Sequence, residues 1–334
     1  MGRLFIAALA LSTAMSCADP FASPDAGTNV QGVGEDAGVT CVDLQGTITT
    51  ITKGTYCVVG DVIVPTGTTL DIPAGTTFIV KGKYHFGRDP AIPDLEPPAI
   101  MGSGSIHAIG TAEEPIVFKG ETPETGWFGI AVSHTHDTVQ FEYVTISDTN
   151  KDDPSQISRI WRVGGAINSY MNAKGTIIRH CTFTNNRAYS GAGAMEIFGH
   201  GQWPDTGNVE ITDTTFENNS CDCALYGANV NDKCGGGALR LARVSGDADL
   251  VKIERNTFRG NSAKSGAAPG FGGAIAGTQS GVILGAGNVF DNNEAAGGDG
   301  AISCNNEPML GKVIDEIDPS VTFTNNRPGN GCGR

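Results

Sequence analysis

Apolar positions along this chain recur in short pairs spaced by two. Val209 and Ile211 stand seven and five residues before Phe216, Val251 and Ile253 stand likewise before Phe258, and Thr176 and Ile178 before Phe183. Spacing by two places both side chains on one face of a strand. Val139, Phe141 and Ile146 read as an earlier rung of the same series. No segment of the mature chain sustains the i, i+3, i+4, i+7 stripe of an amphipathic helix. Polar turns punctuate the pairs. The run 61–82, DVIVPTGTTLDIPAGTTFIVKG, alternates β-branched strands with Pro-Thr-Gly and Pro-Ala-Gly, a rhythm that suits a sandwich, a barrel or a solenoid.

Repeats decide among these. Phe-x-x-Asn occurs at Phe183, Phe216, Phe258, Phe290 and Phe323, in steps of 33, 42, 32 and 33 residues. A second motif, Gly-x-Ala followed by Ile, Leu or Met, interleaves with it at 164–167, 191–195, 236–239, 272–275 and 298–302. A closed barrel gives no reason for such recurrence, whereas stacked coils do. The expectation is an all-β chain folded as a single parallel β-helix, with the five phenylalanines in one interior column. Gly-Gly-Ala would let adjacent coils approach closely. The Asn pairs 185/186, 218/219, 292/293 and 325/326 would take left-handed backbone geometry and bond to like residues on the next coil. Ile283 and Gly285 break the pattern before Phe290, which predicts looser packing at that rung.

The Phe-x-x-Asn and Gly-Gly-Ala-Ile pair resembles the repeats of polymorphic outer-membrane proteins. The stretch from Val62 to Val132, with LDIPAGTTFIV, IHAIGTAEEPIVF and GWFGI, is similar to the N-terminal coils of right-handed β-helix repeat proteins. The resemblance spans residues 58–327 and implies a right-handed solenoid. It does not fix a function, because adhesins, lyases, hydrolases and scaffolds share this architecture. No part of the sequence reads as the C-terminal membrane barrel of the autotransporter kind.

The N-terminus has a different texture. Arg3, then an apolar run from Leu4 to Met15, then Ser16-Cys17 reads as a signal peptide over 1–16, too short for a mature membrane span. It resembles a bacterial lipoprotein signal, which implies lipidation of Cys17, although Ala14 stands where such signals usually carry Leu; cleavage as an ordinary secretory signal is the alternative. Residues 17–40, rich in Asp, Ala, Gly and Pro, read as a flexible tether, and 41–334 as the β-helix. Of nine cysteines, eight remain after Cys17, an even number suited to disulfides in an oxidising compartment. Position along the chain pairs Cys41 with Cys57 and Cys304 with Cys332. Within Cys221, Cys223 and Cys234, one pair would close the loop and the remaining cysteine would reach Cys181.

Charge narrows the partners. A formal net charge of −14 argues against nucleic acid, which needs a basic face, and leaves a lipid anchor as the only membrane attachment. Gly199-His200-Gly201 resembles part of a polygalacturonase signature, but Asp152-Asp153 lies apart from it, and glycoside hydrolysis needs two carboxyls across the sugar. Asp205, Asp222, Asp232 and Asp299 share no spacing that would hold calcium, and no cofactor or metal is expected. If Ile167, Met195, Leu239, Ile275 and Ile302 point inward, then Asn168, Glu196, Arg240, Ala276 and Ser303 point outward. Glu196 would then meet Arg240, as Glu142 would meet Arg179 and Glu210 would meet Lys252, each a cross-strand charge pair. Insertions at 84–105, 150–163, 199–207 and 220–235 would carry binding, with Trp161, Tyr170, His200 and Trp203 as ligand-facing candidates. The reading is an exported cell-envelope lipoprotein, at the outer membrane or cell surface, in a non-catalytic binding, adhesion or scaffold role, with a polysaccharide or another surface component as partner. The alternative is a carbohydrate-active β-helix enzyme acting on an acidic polysaccharide.

Overall fold

The computed structural model describes residues 30–36, 39–84, 86–87, 104–124, 126–133, 135–151, 164–170, 175–199, 208–222, 235–242, 251–264, 272–278, 283–303 and 316–330. These form an all-β solenoid with no helix among the described residues. Apart from the first, Val30–Asp36, each strand pairs in parallel with its counterpart one coil on, so the coils stack into ladders.

The phenylalanine ladder runs through Thr77–Val80, Ile116–Gly120, Val144–Ser147, Thr182–Thr184, Thr215–Glu217, Thr257–Arg259, Val289–Asp291 and Thr322–Thr324. The glycine-alanine ladder runs through Ile130–Ser133, Ile167–Tyr170, Met195–Phe198, Leu239–Ala242 and Ile275–Thr278. A third, the charged ladder, contains Thr69–Ile72, Ser105–Ile109, Val139–Glu142, Thr176–Arg179, Val209–Thr212, Val251–Glu254, Ile283–Leu284 and Glu316–Ile317. A short fourth ladder starts at Asn150–Lys151 and ends at Glu294–Ala295.

The interior column forms as the repeats predict. The rings of Phe183, Phe216, Phe258, Phe290 and Phe323 stack with centroids 5.0, 4.9, 4.8 and 5.1 Å apart. All are buried except Phe323, half-buried in the last described coil. The column also extends toward the N-terminus through Ile146, Phe118, Phe78 and Tyr56, which the motif alone did not show.

Each coil turns from the phenylalanine ladder into the short ladder at one left-handed residue: Asp148, Asn185, Asn218, Gly260, Asn292 or Asn325. The following asparagine is buried in most coils and builds a continuous ladder: Asn186 Nδ2 donates to Asn219 Oδ1, Asn219 to Asn261, Asn261 to Asn293 and Asn293 to Asn326, at 2.9–3.0 Å. The same amides also donate to the carbonyl of the phenylalanine in an earlier coil, as Asn219 does to Phe183. Within the stack the interior amides are thereby satisfied, which burial demands. A second ladder at the opposite turn runs from Thr214 through Asn256 to Asn288; the letter two residues before the core phenylalanine is Asn only in the last two of these coils.

Three expectations are corrected. The rung before Phe290 is not loosened: it is Leu284 that pairs with Ile253 and is fully buried. One extra residue is absorbed in the turn at Gly285–Gly287, so the inward position lies six residues before Phe290 rather than five. The tether over 17–40 ends earlier than expected. Val30–Asp36 pairs antiparallel with Val39–Thr47 and so occupies a strand edge that the first coil would otherwise leave open.

The third correction concerns cysteines. Cys41 and Cys57 form the predicted disulfide, with Cα atoms 5.5 Å apart. Cys181 and Cys221 are buried thiols, not joined in a disulfide. Both side chains turn inward: Cys181 Sγ lies 3.4 Å from the carbonyl of Phe141 and 3.2 Å from that of Arg179, and Cys221 Sγ lies 3.9 Å from that of Tyr189. Burial pushes the Cys181 thiol up to about 12 and raises that of Cys221 as well, so neither is a ready nucleophile for exchange. Cys17, Cys223, Cys234, Cys304 and Cys332 lie outside the described residues.

Candidate functional site

The two outward faces of the solenoid differ in what they do with charge. On the charged ladder, register puts Glu142 beside Arg179 and Glu210 beside Lys252, as strand spacing predicts. Arg179 bridges two acids, reaching Glu142 at 3.0 Å and Glu210 at 2.7 Å, and Lys252 lies 3.8 Å from Glu210. These side chains keep partial solvent contact. The Arg179 guanidinium holds the Glu210 carboxyl below its usual range. At the adjoining turn, Arg255 grips Asp213 through two bonds of 2.7 Å and lowers it likewise.

The glycine-alanine ladder is built otherwise. Ile167, Met195, Leu239, Ile275 and Ile302 point inward and are fully buried. The next residues are directed outward, yet Asn168, Glu196, Ala276 and Ser303 are also buried. Arg240, between Glu196 and Ala276, keeps partial solvent contact. The segments entering and leaving its strands, 152–163, 171–174, 200–207, 223–234, 243–250, 265–271 and 279–282, lie outside the described residues.

The close coil spacing here comes from glycine. A Cβ on Gly237 would collide with the Gly273 carbonyl oxygen and the Ser262 backbone nitrogen, and Gly193 is confined in the same way by Gly237 and Ser220. Larger residues cannot occupy these positions without separating the coils.

On this covered face, Glu196 and Arg240 are register partners. Arg240 Nη1 donates to Glu196 Oε1 at 3.2 Å. The Glu196 side chain is 2 % exposed and that of Arg240 21 %. Among the described residues the second carboxyl oxygen, Oε2, has no hydrogen-bond partner. Burial raises the Glu196 pKa, and the attraction of Arg240 and Lys151 only partly opposes it. Lys151 is itself buried, donating to the Gly164 carbonyl at 2.6 Å. Two residues further along the same strands, Tyr170 and Phe198 are register partners with rings stacked 4.8 Å apart, both half-buried. They stand between the small Ser133 and Ala242 of the neighbouring coils.

Of the ligand-facing candidates, Tyr170 therefore belongs to a structured face, while Trp161, His200 and Trp203 lie outside the described residues, as do Asp152, Asp153, Asp205 and Asp232. Asp222 lies 3.4 Å from Arg187 on the short ladder, two coils from the segment that carries Asp299. Among the described residues no three His, Cys, Asp or Glu side chains gather as metal ligands. Phe198 was missed in the sequence, and Glu196 was read as an outward-pointing member of a cross-strand charge pair with Arg240, whose burial the sequence did not show. The register gives their neighbours, but a strand pattern does not tell which outward face is covered.

No protein-family model matches this chain, and no curated protein or solved structure is significantly similar to it.

Proposed function

We propose that the chain is an exported, lipid-anchored cell-envelope protein whose body, a single right-handed β-helix, acts by binding rather than by catalysis. The glycine-alanine face is the binding surface. The observation that carries this reading is the composition of that face. Its described outward positions hold one carboxylate, Glu196, beside Arg240 and an aromatic pair. Hydrolysis of a glycosidic bond by the common mechanisms uses two carboxyls, whereas recognition needs only a polar group beside an apolar platform. On the charged ladder, Glu142 and Glu210 are held by Arg179 and Lys252, while nearer the N-terminus His107 lies 3.2 Å from Asp71 and 3.8 Å from Asp137.

The leader ending at Cys17 supports export, and the Cys41–Cys57 disulfide fits an oxidising compartment. Two measurements test the reading. Wild-type protein should partition into the detergent phase, and Cys17→Ser should move it to the aqueous phase; unchanged partitioning would reject the anchor. On a panel of purified polysaccharides the protein should bind without releasing reducing ends; steady release would establish the enzyme instead.

A further inference from the structure

The charged ladder contains one construction twice. Arg179 stands on a middle coil with an acceptor on the coil to either side, Glu142 and Glu210. Nearer the N-terminus, His107 stands in the same way between Asp71 and Thr138. Asp71 lies on the rung before it, Thr69–Ile72, and Thr138 directly precedes the rung after it, Val139–Glu142. His107 Nδ1 is 3.2 Å from Asp71 Oδ1, and Nε2 is 3.0 Å from the Thr138 carbonyl oxygen. Asp137 Oδ2 approaches the same Nε2 at 3.8 Å. A carbonyl and an ionised carboxylate only accept. A neutral imidazole carries one N–H, so it serves one side and turns a lone pair toward the other; an imidazolium carries two and serves both. Arginine keeps its charge throughout the pH range of a folded protein, whereas histidine loses its charge within the range that proteins ordinarily meet. The Arg179 link is permanent and the His107 link is conditional.

We propose that His107 is a proton-dependent clamp across three successive coils, closed when its imidazolium bridges Asp71 and Thr138 and open on the Asp71 side when the ring is neutral. The clamp acts on the fold itself and works whatever the body binds.

The two jaws differ in stiffness, which decides the side that opens. The turn carrying Thr138 is pinned. Ser105 is fully buried; its hydroxyl donates to the Asp137 carbonyl at 3.1 Å and accepts the Asp137 N–H at 3.0 Å. Thr138 N–H donates to Asp137 Oδ1 at 2.7 Å. Asp71, by contrast, has a side chain 83 % exposed. The neutral ring therefore keeps its Nε2–H on the Thr138 carbonyl and releases Asp71. Three further titratable groups face this corner. Asp137 supports the imidazolium, and His136, 3.4 Å from Thr69 Oγ1, opposes it when charged. Glu142 is the third, bonded by Gln140, the register partner of His107. The His107 side chain keeps partial solvent contact, so a proton reaches it without any opening of the coils. The sign follows: the Asp71 contact is present in acid and is lost as pH rises.

The test is amide hydrogen exchange of the full chain at pH 5.5 and pH 8, corrected for the intrinsic pH dependence of exchange and followed in peptides covering 69–72 and 105–109. Wild type should be protected about threefold more at pH 5.5 than at pH 8, the scale of one exposed ion pair. Two surface variants should abolish that difference in opposite ways. Asp71→Asn should lower protection at pH 5.5 to the pH 8 level, and His107→Arg, whose charge is permanent, should hold the pH 5.5 level at pH 8. His136→Gln should leave the wild-type difference in place. Equal protection of wild type at both pH values would overturn the clamp, as would a wild-type difference that persists in Asp71→Asn. Loss of the difference in His136→Gln would assign the proton to the other histidine and overturn the role of His107.

Discussion

The charged and glycine-alanine ladders are made by the same coils, share one core and have the same inward logic, yet their outward columns have opposite fates. On the charged ladder, acids and bases alternate from coil to coil, stay partly solvated, and neutralise one another: Glu142, Arg179, Glu210 and Lys252 form a connected line. On the glycine-alanine ladder the described outward column is buried except for Arg240, and the Glu196 carboxyl in it is desolvated, which raises its pKa. A solenoid wall exposed to water uses charge for solubility and register, each pair contributing little. A covered wall cannot use charge that way, because desolvation outweighs what one partner returns.

The largest expected difference between the two walls is steric. Gly237→Ala on the glycine-alanine ladder drives a methyl into the backbone of Gly273 and Ser262, and backbone cannot step aside. A loss of more than about 3 kcal/mol is expected, at or beyond the upper end for overpacking. Gly285→Ala, beside the charged ladder, meets the Glu254 side chain from its Cγ outward but no backbone, so it should cost less than Gly237→Ala. Urea denaturation of both variants checks this. Equal losses would show that the close coil approach is not particular to the glycine-alanine wall.

A smaller contrast comes from removing one cation on each wall. Arg240→Met leaves Glu196 buried without its hydrogen-bonding base. Breaking a buried pair commonly costs ~3–5 kcal/mol, but protonation of Glu196 relieves part of the strain, so about 2 kcal/mol is expected at neutral pH, shrinking in acid. Arg179→Met removes two exposed-wall contacts, each worth at most ~1 kcal/mol. Melting the two variants at pH 7 and pH 5 would separate them. If Arg240→Met lost no more than Arg179→Met at pH 7, the glycine-alanine wall would be solvated after all.

Much of this was legible in the letters. Phe-x-x-Asn encodes three facts at once: a ring for the interior, a residue able to turn left-handed, and an amide for the ladder. Those requirements recur in nearly every coil, so the motif repeats and betrays the fold. The pairing of Glu142 with Arg179, Glu210 with Lys252 and Glu196 with Arg240 followed from register alone. What escaped were properties that depend on more than one coil's pattern. The Thr214–Asn256–Asn288 ladder uses different letters for one role. Leu284 slipped by one position because a turn of variable length resets the count. Cys181 was read by its nearness to other cysteines, while its direction, inward, was set by the strand. Above all, Asn168 and Glu196 are directed outward yet buried, which no alternation of polar and apolar residues along their strands records.

The smallest effect is the sharpest in sign. The Glu196 pKa in the folded chain lies above its unfolded value. The folded state is therefore favoured at low pH, and that contribution is lost as pH rises from about 4.3, the ordinary glutamate value, through the raised one. Glu196→Gln removes this loss, so its stability relative to wild type should improve as pH rises from 4 to 7. Glu210 is the reverse: Arg179 holds its pKa below the unfolded value. Its contribution is present above about 4.3 and disappears as pH falls through the lowered value. Glu210→Gln should then be less stable than wild type at pH 7 and converge on it in acid. The Glu210 difference should be within about 1 kcal/mol because solvent screens the pair, and the Glu196 difference is read by its sign. Denaturation midpoints for the two variants, followed between pH 3 and pH 7, should diverge from wild type in opposite directions. Curves moving in the same direction would mean that both carboxyls share one kind of environment, and the distinction between the covered and the solvated wall would fall.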